Sequence, residues 1–188
     1  MEFYLIRHTT PDIDKGICYG QQDIALAESF PEDWKTLRAK LPDRYENFRI
    51  YSSPLKRCSK LAAELAKDEI ITDESLMELD FGDWEGQAWD DINDEKLAQW
   101  MQDFVEVKCP GGESYRELYH RVIEWWKQVD KSGNEKVLVV SHAGVIRCLL
   151  SHILSLPLEN SFRLRVDYGC VSKIVHQNNR NVIAYVNK

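Results

Sequence analysis

Two runs in this 188-residue chain, Phe3-Tyr4-Leu5-Ile6 and Val137-Leu138-Val139-Val140, contain no charged position, and each ends within two residues of a histidine. A strand that is apolar at consecutive rather than alternate positions must be covered on both faces, as an inner strand of a mostly parallel sheet is. In an open sheet of this kind, ligands collect beyond the carboxyl ends of the strands. His8 and His142 are therefore expected to meet at one place, although 142 − 8 = 134 positions separate them.

Further strand-like segments at about 47–52, 69–72 and 171–176 join those at about 2–7 and 136–141, and the stretches between them carry helical periodicity. Cys58, Leu61, Ala62 and Leu65 trace one helix face; Leu97, Trp100, Met101 and Phe104 trace a second. Leu118, Val122, Trp125, Trp126 and Val129 form a third stripe, and Ile146, Leu149, Leu150 and Ile153 a fourth. Such alternation predicts a three-layer α/β/α sandwich around a mostly parallel sheet. Ser114 and Glu117 form a capping box opening the third helix, and Pro54 after Ser53 suits a helix start. The segments on either side of Asn178, Asn179, Arg180 and Asn181 predict a closing antiparallel hairpin at a sheet edge. The irregular stretch at about 78–112 is too long for a simple connection and is expected to form a lid over the strand ends. The whole chain, 1–188, reads as a single domain.

The net charge of −7 argues against non-specific binding to nucleic acid or to an anionic membrane surface. No apolar run approaches a membrane span, which favours the cytoplasm. The five cysteines, Cys18, Cys58, Cys109, Cys148 and Cys170, are scattered without a CxxC spacing, so structural zinc is not expected; Cys58 and Cys148, near apolar helical stripes, are expected to be small buried hydrophobes in a reducing compartment.

The site chemistry follows from the neighbours of the two histidines. Arg7 offers a planar fork of donors suited to phosphoryl oxygens, and a neutral His8 imidazole can attack phosphorus. After Ser52-Ser53-Pro54, a helix amino end and Arg57 supply further donors for an anion. Gly144 removes a side chain where a helix begins, so backbone can approach a phosphate, and a protonated His142 can stabilise charge building on the transferring group. A leaving oxygen needs a proton; Glu78, Asp80, Asp83 and Glu85 are the carboxyl candidates, and spacing does not choose among them. These residues imply a phosphate ester held and attacked by histidine.

The set Arg7-His8, SSPLKRC, the glutamate ahead of FGDWEG, PGGES and SHAG, in that order over about residues 3–147, resembles the histidine phosphatase superfamily, also called phosphoglycerate mutase-like. The resemblance implies phosphoryl transfer to His8, phosphate binding by Arg7, Arg57 and His142, proton donation by Glu78, hydrolysis of the phosphohistidine by water, and neither metal nor other cofactor. Thr9 and Thr10 depart from the family's usual Gly and Glu after the first histidine; a Thr hydroxyl can donate to phosphate, while its bulk narrows a pocket. The combination of KGICYGQQDIAL, the early SSPLKRC and WEGQAWDDI looks most like α-ribazole phosphatases of cobalamin nucleotide-loop assembly, which implies Gly20 and Gln21 at the phosphate site. Trp84 and Trp89 are placed to stack on a flat base.

The implied partner is a small phosphate ester bound by a monomer or homodimer, with no nucleic acid and no membrane. Rivals are a broad-specificity sugar-phosphate phosphatase, a phosphoglycerate mutase, which should carry extra basic residues that the sequence does not display as a cluster, and a phospho-ligand binding module. No GxGxxG follows the first strand and no GxxxxGK[ST] occurs, so dinucleotide and P-loop chemistry are unsupported.

Overall fold

The computed structural model describes residues 1–42, 48–67, 69–93, 95–130, 136–178 and 180–188. Among these residues, six strands, β1 (Glu2–Arg7), β2 (Arg49–Ser52), β3 (Ile70–Thr72), β4 (Lys136–Ser141), β5 (Val171–Gln177) and β6 (Arg180–Tyr185), form one sheet in the order β3-β2-β4-β1-β5-β6. The β2–β3, β2–β4 and β1–β4 pairs are parallel; β5 and β6 add an antiparallel edge, with Leu5 opposite Val139 on one side and Ser172 on the other. Residue 47 at the start of the expected second strand, residue 94 in the expected lid and Asn179 in the expected turn lie outside the described residues.

Among the described residues, five helices cover the sheet: α1 (Phe30–Arg38), α2 (Lys56–Leu65), α3 (Glu95–Gln102), α4 (Tyr115–Asp130) and α5 (Ala143–Leu154). Side-chain alternation splits the core into two layers. Phe3, Leu5, Tyr51, Val137 and Val139 pack with Leu118, Val122 and Trp126 of α4 and Ile146 and Leu149 of α5. Tyr4, Ile6, Ile50, Leu138 and Val140 pack on the opposite face with Leu37 of α1 and Cys58, Leu61 and Leu65 of α2. The consecutive apolar residues of β1 and β4 thus serve both layers, which is the expected three-layer sandwich. No helix of the described residues is long and apolar enough to cross a membrane.

The capping box forms as expected, with Glu117 N–H donating to Ser114 Oγ at 3.2 Å and Ser114 N–H to Glu117 Oε2 at 2.8 Å. Two expectations are corrected. Pro54 does not open its helix: Leu55, extended at φ −61° and ψ 137°, is the N-cap and α2 begins at Lys56. Met101 does not belong to a buried stripe, being 64% exposed, because α3 ends at Gln102 and the apolar contact passes to Phe104 beyond it. The stretch 78–112 holds two short 3-10 turns, Gly82–Trp84 and Trp89–Asp91, besides α3. Phe81, Trp84, Trp89, Trp100 and Phe104 interlock through it, with ring centroids 5.3 to 6.2 Å apart.

Candidate active site

β1 and β4 run side by side with Arg7 opposite Ser141, so the chain delivers His8 and His142 to the same sheet edge. Their ring centroids lie 5.2 Å apart, edge to face. His8 Nδ1 is 2.7 Å from the Thr9 carbonyl oxygen. A carbonyl only accepts, so Nδ1 carries the proton and Nε2 keeps its lone pair. Both rings are almost fully buried. Burial first, then the Arg57 and Arg7 charges, hold the His8 imidazolium well below its ordinary range. Burial, Arg57, His8, Arg7 and Arg121 do the same for His142. Both imidazoles are neutral near pH 7 in the free protein. His142 Nε2 meets Ser53 Oγ at 2.8 Å and Cys58 Sγ at 3.4 Å, which fixes the ring under His8.

The two arginines approach from different elements. Arg57, fully buried on α2, donates Nη2–H to the Gly20 carbonyl at 2.6 Å and Nη1–H to that of Gln22 at 2.8 Å. Arg7 donates Nη1–H to the Val166 carbonyl at 2.7 Å, and its guanidinium lies 3.7 Å from the Tyr168 ring centroid. In both, Nε is buried with no hydrogen-bond partner. Two buried guanidinium donors without acceptors are costly, roughly 1–3 kcal/mol each, and are the kind of group an anion satisfies.

A cavity of about 200 Å³ opens on His8 and is lined by Arg7, His8, Ile17, Tyr19, Glu78, Phe81, Trp89, Ala143 and Arg147. Glu78 reaches it from the loop after the 3-10 turn Glu74–Leu76, and its carboxylate accepts from Gly144 N–H at 3.1 and 3.2 Å and from Leu79 N–H at 3.0 Å. A Cβ on Gly144 would meet Glu78 Oε1 at 2.2 Å. The glycine's openness therefore seats this carboxyl, not a phosphate as the sequence suggests. Arg121, on α4, braces the same loop by donating to the carbonyls of Ser75, Met77 and Glu78 and pairing with Glu113. Glu85 takes Gln21 N–H, Gln22 N–H and Phe81 N–H, tying the loop around residue 21 to the cavity wall.

The structure thus brings His8, Arg7 and Glu78 to the cavity; the His142 ring packs against that of His8, and the Arg57 charge bears on both rings, although neither His142 nor Arg57 lines the cavity. Gln21 stands beside it, its Nε2–H spent on the Glu78 carbonyl at 3.1 Å. Of the other carboxyl candidates, Asp80 caps Gly82 N–H at 2.9 Å, and Glu85 is committed to the loop. Trp89 lines the cavity, but Trp84 is buried in the core and unavailable for stacking. Thr9 and Thr10 border a separate cavity of about 90 Å³ with Asp33, Thr36, Lys40, Tyr168 and Gly169, so their bulk does not narrow the one at His8. Tyr19 and Arg147 are cavity residues outside the motifs read from the sequence, and Phe81 opens the FGDWEG motif without a role read for it; a one-turn repeat from Ala143 to Arg147 on α5 is the available signal for Arg147. Among the described residues, no group of three or more His, Cys, Asp or Glu side chains is placed to hold a metal ion.

Residues 3–188 match the family model of the histidine phosphatase superfamily (branch 1). Phosphoserine phosphatase 1 of Hydrogenobacter thermophilus is 30% identical over 100% of this chain and 92% of its own length. The adenosylcobalamin/α-ribazole phosphatase of Salmonella typhimurium is 29% identical over 93% of this chain and 90% of its own. The crystal structure of the α-ribazole phosphatase from Shigella flexneri superposes with a TM-score of 0.90 at 25% identity, covering 100% of this chain and 96% of that one.

Proposed function

Because the chain belongs to the histidine phosphatase superfamily, we propose that it hydrolyses phosphomonoesters through a phosphohistidine at His8, without a metal. The observation that carries this reading is the His8 Nδ1–H bond to the Thr9 carbonyl, which leaves Nε2 as a free nucleophile on a ring that feels the charges of Arg57 and Arg7, two guanidinium groups whose Nε donors are unpartnered. The phosphoryl group sits among Arg7, Arg57 and His142. Nε2 attacks phosphorus, the ester P–O bond breaks, and a protonated Glu78 transfers its proton to the leaving oxygen. Glu78, now a carboxylate, takes a proton from water as that water attacks the phosphohistidine; the P–N bond breaks and inorganic phosphate leaves. The dianion offsets the Arg57 and Arg7 charges, so His142 gains basicity when substrate binds and can take up a proton to stabilise the equatorial oxygens. The cations that neutralise phosphate are thus side chains of this chain. Five free, buried cysteines support action in a reducing compartment such as the cytoplasm.

For the ester itself, α-ribazole 5′-phosphate is supported by the likeness to α-ribazole phosphatases and by Phe81 and Trp89, whose rings wall the cavity and can hold a flat base. A small phosphorylated acid is the second reading, favoured by Arg147 in the same cavity and by the relative named as a phosphoserine phosphatase. The test is a panel of α-ribazole phosphate, phosphoserine, 3-phosphoglycerate and sugar phosphates, assayed for inorganic phosphate in excess EDTA. Net phosphate release that His8→Ala abolishes is expected. Binding without turnover would identify a phospho-ligand module, isomerisation of primed 3-phosphoglycerate without net release a mutase, and loss of activity in EDTA a metal enzyme.

A further inference from the structure

Arg147 lies outside the set Arg7, Arg57 and His142 proposed for the phosphoryl group, yet it lines the same cavity. On α5, Ala143 and Arg147 are one turn apart, about 5–6 Å between Cβ atoms, and both line the cavity. Gly144, next to Ala143, holds the Glu78 carboxyl through its N–H. Arg147 therefore stands about one helical turn along α5 from the amide that holds Glu78, and both side chains line the cavity. Burial lowers the pKa of the Arg147 guanidinium from its usual value, and the Tyr115, Glu78 and Arg7 groups all bear on it, in keeping with a place in the same cavity.

Its side chain is held but not neutralised. Nε–H donates to the Leu164 carbonyl at 3.1 Å, and the guanidinium carbon lies 4.8 Å from the Phe162 ring centroid. Among the described residues, Nη1 and Nη2 have neither a hydrogen-bond acceptor nor a carboxylate partner. Arg121 shows the contrast, since its nitrogens are spent on three carbonyls and on Glu113. A half-buried guanidinium without a counter-ion is unusual, and its planar fork matches a carboxylate with two parallel bonds.

We propose that Arg147 is a carboxylate subsite, and that the substrate is a phosphomonoester whose alcohol carries a carboxylate about three bonds from the ester oxygen. The inference rests on the phosphatase reading and narrows it to the second of the two esters. Three bonds of roughly 1.5 Å span about 4 Å when extended, which takes the carboxylate from Glu78 toward a guanidinium one turn away. The neutral alcohol of α-ribazole phosphate offers Arg147 no such partner.

The test compares kcat/KM for 3-phosphoglycerate and sn-glycerol 3-phosphate, which differ by a carboxylate in place of a hydroxymethyl group. The two values are measured on one preparation, so their ratio is independent of the folded fraction. The wild-type chain is expected to favour the acid by about tenfold or more, and Arg147→Gln to lower that ratio by about 10- to 100-fold, the range of one charge-assisted contact. Arg147→Lys, which keeps the charge without the fork, should retain part of the preference. A wild-type ratio near one, an unchanged ratio in Arg147→Gln, or a higher kcat/KM for α-ribazole phosphate that ignores Arg147→Gln overturns the subsite while leaving the phosphatase standing. No phosphate release from any ester overturns both.

Discussion

Gly144→Ala displaces the Glu78 carboxyl without altering any group that reacts. The added Cβ lies 2.2 Å from Glu78 Oε1 and 3.1 Å from Leu118 Cδ2, where ordinary contact begins at 3.4 Å. The carboxyl must withdraw by at least 3.4 − 2.2 = 1.2 Å, because it ends a flexible side chain and the helix backbone does not give. That movement breaks the 3.1 and 3.2 Å bonds from Gly144 N–H. Stability changes little: alanine gains about 1 kcal/mol of helix propensity, and the lost hydrogen bond costs about as much. Activity changes a great deal, since misplacing a catalytic group by about 1 Å costs on the order of 10²-fold and removing general acid catalysis up to about 10⁴-fold. We expect kcat/KM for sn-glycerol 3-phosphate to fall by about 10²- to 10³-fold, and that for p-nitrophenyl phosphate, whose phenolate leaves unprotonated, by under about tenfold. Both substrates are assayed on one preparation whose thermal midpoint is also measured. Equal losses on the two esters, or full activity on the alkyl ester, would refute Glu78 as the proton donor.

The buried histidines make two further predictions, both about pH. His8 and His142 titrate below about 6.5 when folded, owing to burial and then to Arg57 and other neighbouring charges, so the unfolded chain binds more protons below that pH. Their contribution is complete above about pH 6.5 and is lost as pH falls toward the folded values, at up to about 1.4 kcal/mol per pH unit for each histidine. Urea unfolding between about pH 7.5 and 5.5 should show this slope, and His142→Asn should remove about half of it; a flat profile would contradict the burial account. In NMR spectra, the His8 Cε1–H signal should show no titration between about pH 8 and 6. A midpoint near 6.5 would show that the ring is not held neutral.

The inner strands were legible because Phe3 to Ile6 and Val137 to Val140 serve both core layers, leaving no alternative to a covered sheet. The Ser114–Glu117 cap was legible because it is local. The helix α1 was not marked by a stripe, since its apolar face amounts to Phe30, Trp34 and Leu37, of which only Leu37 is fully buried. Within 78–112 no period separates a core tryptophan from a cavity one, so Trp84 and Trp89 read alike and only packing tells them apart. Gly144 reads as a place of close approach, but which group approaches depends on the distant loop carrying Glu78. Arg147 is not legible in the sequence because α5 reads as a core helix from its Ile146, Leu149 and Leu150 stripe, and a polar residue between those positions carries no signal until the opposite wall is known.

The account rests on the lone pair of His8 Nε2, and rapid quenching tests it most directly. Enzyme mixed with a radiolabelled phosphomonoester is stopped in alkali within the first turnover, digested, and the label located by mass spectrometry. The account predicts an acid-labile, alkali-stable phosphoryl group on Nε2 of His8, because Nδ1 is tied to the Thr9 carbonyl, formed and discharged at least as fast as steady-state turnover. Label on Nδ1, on another residue, or on none while inorganic phosphate is released would contradict it.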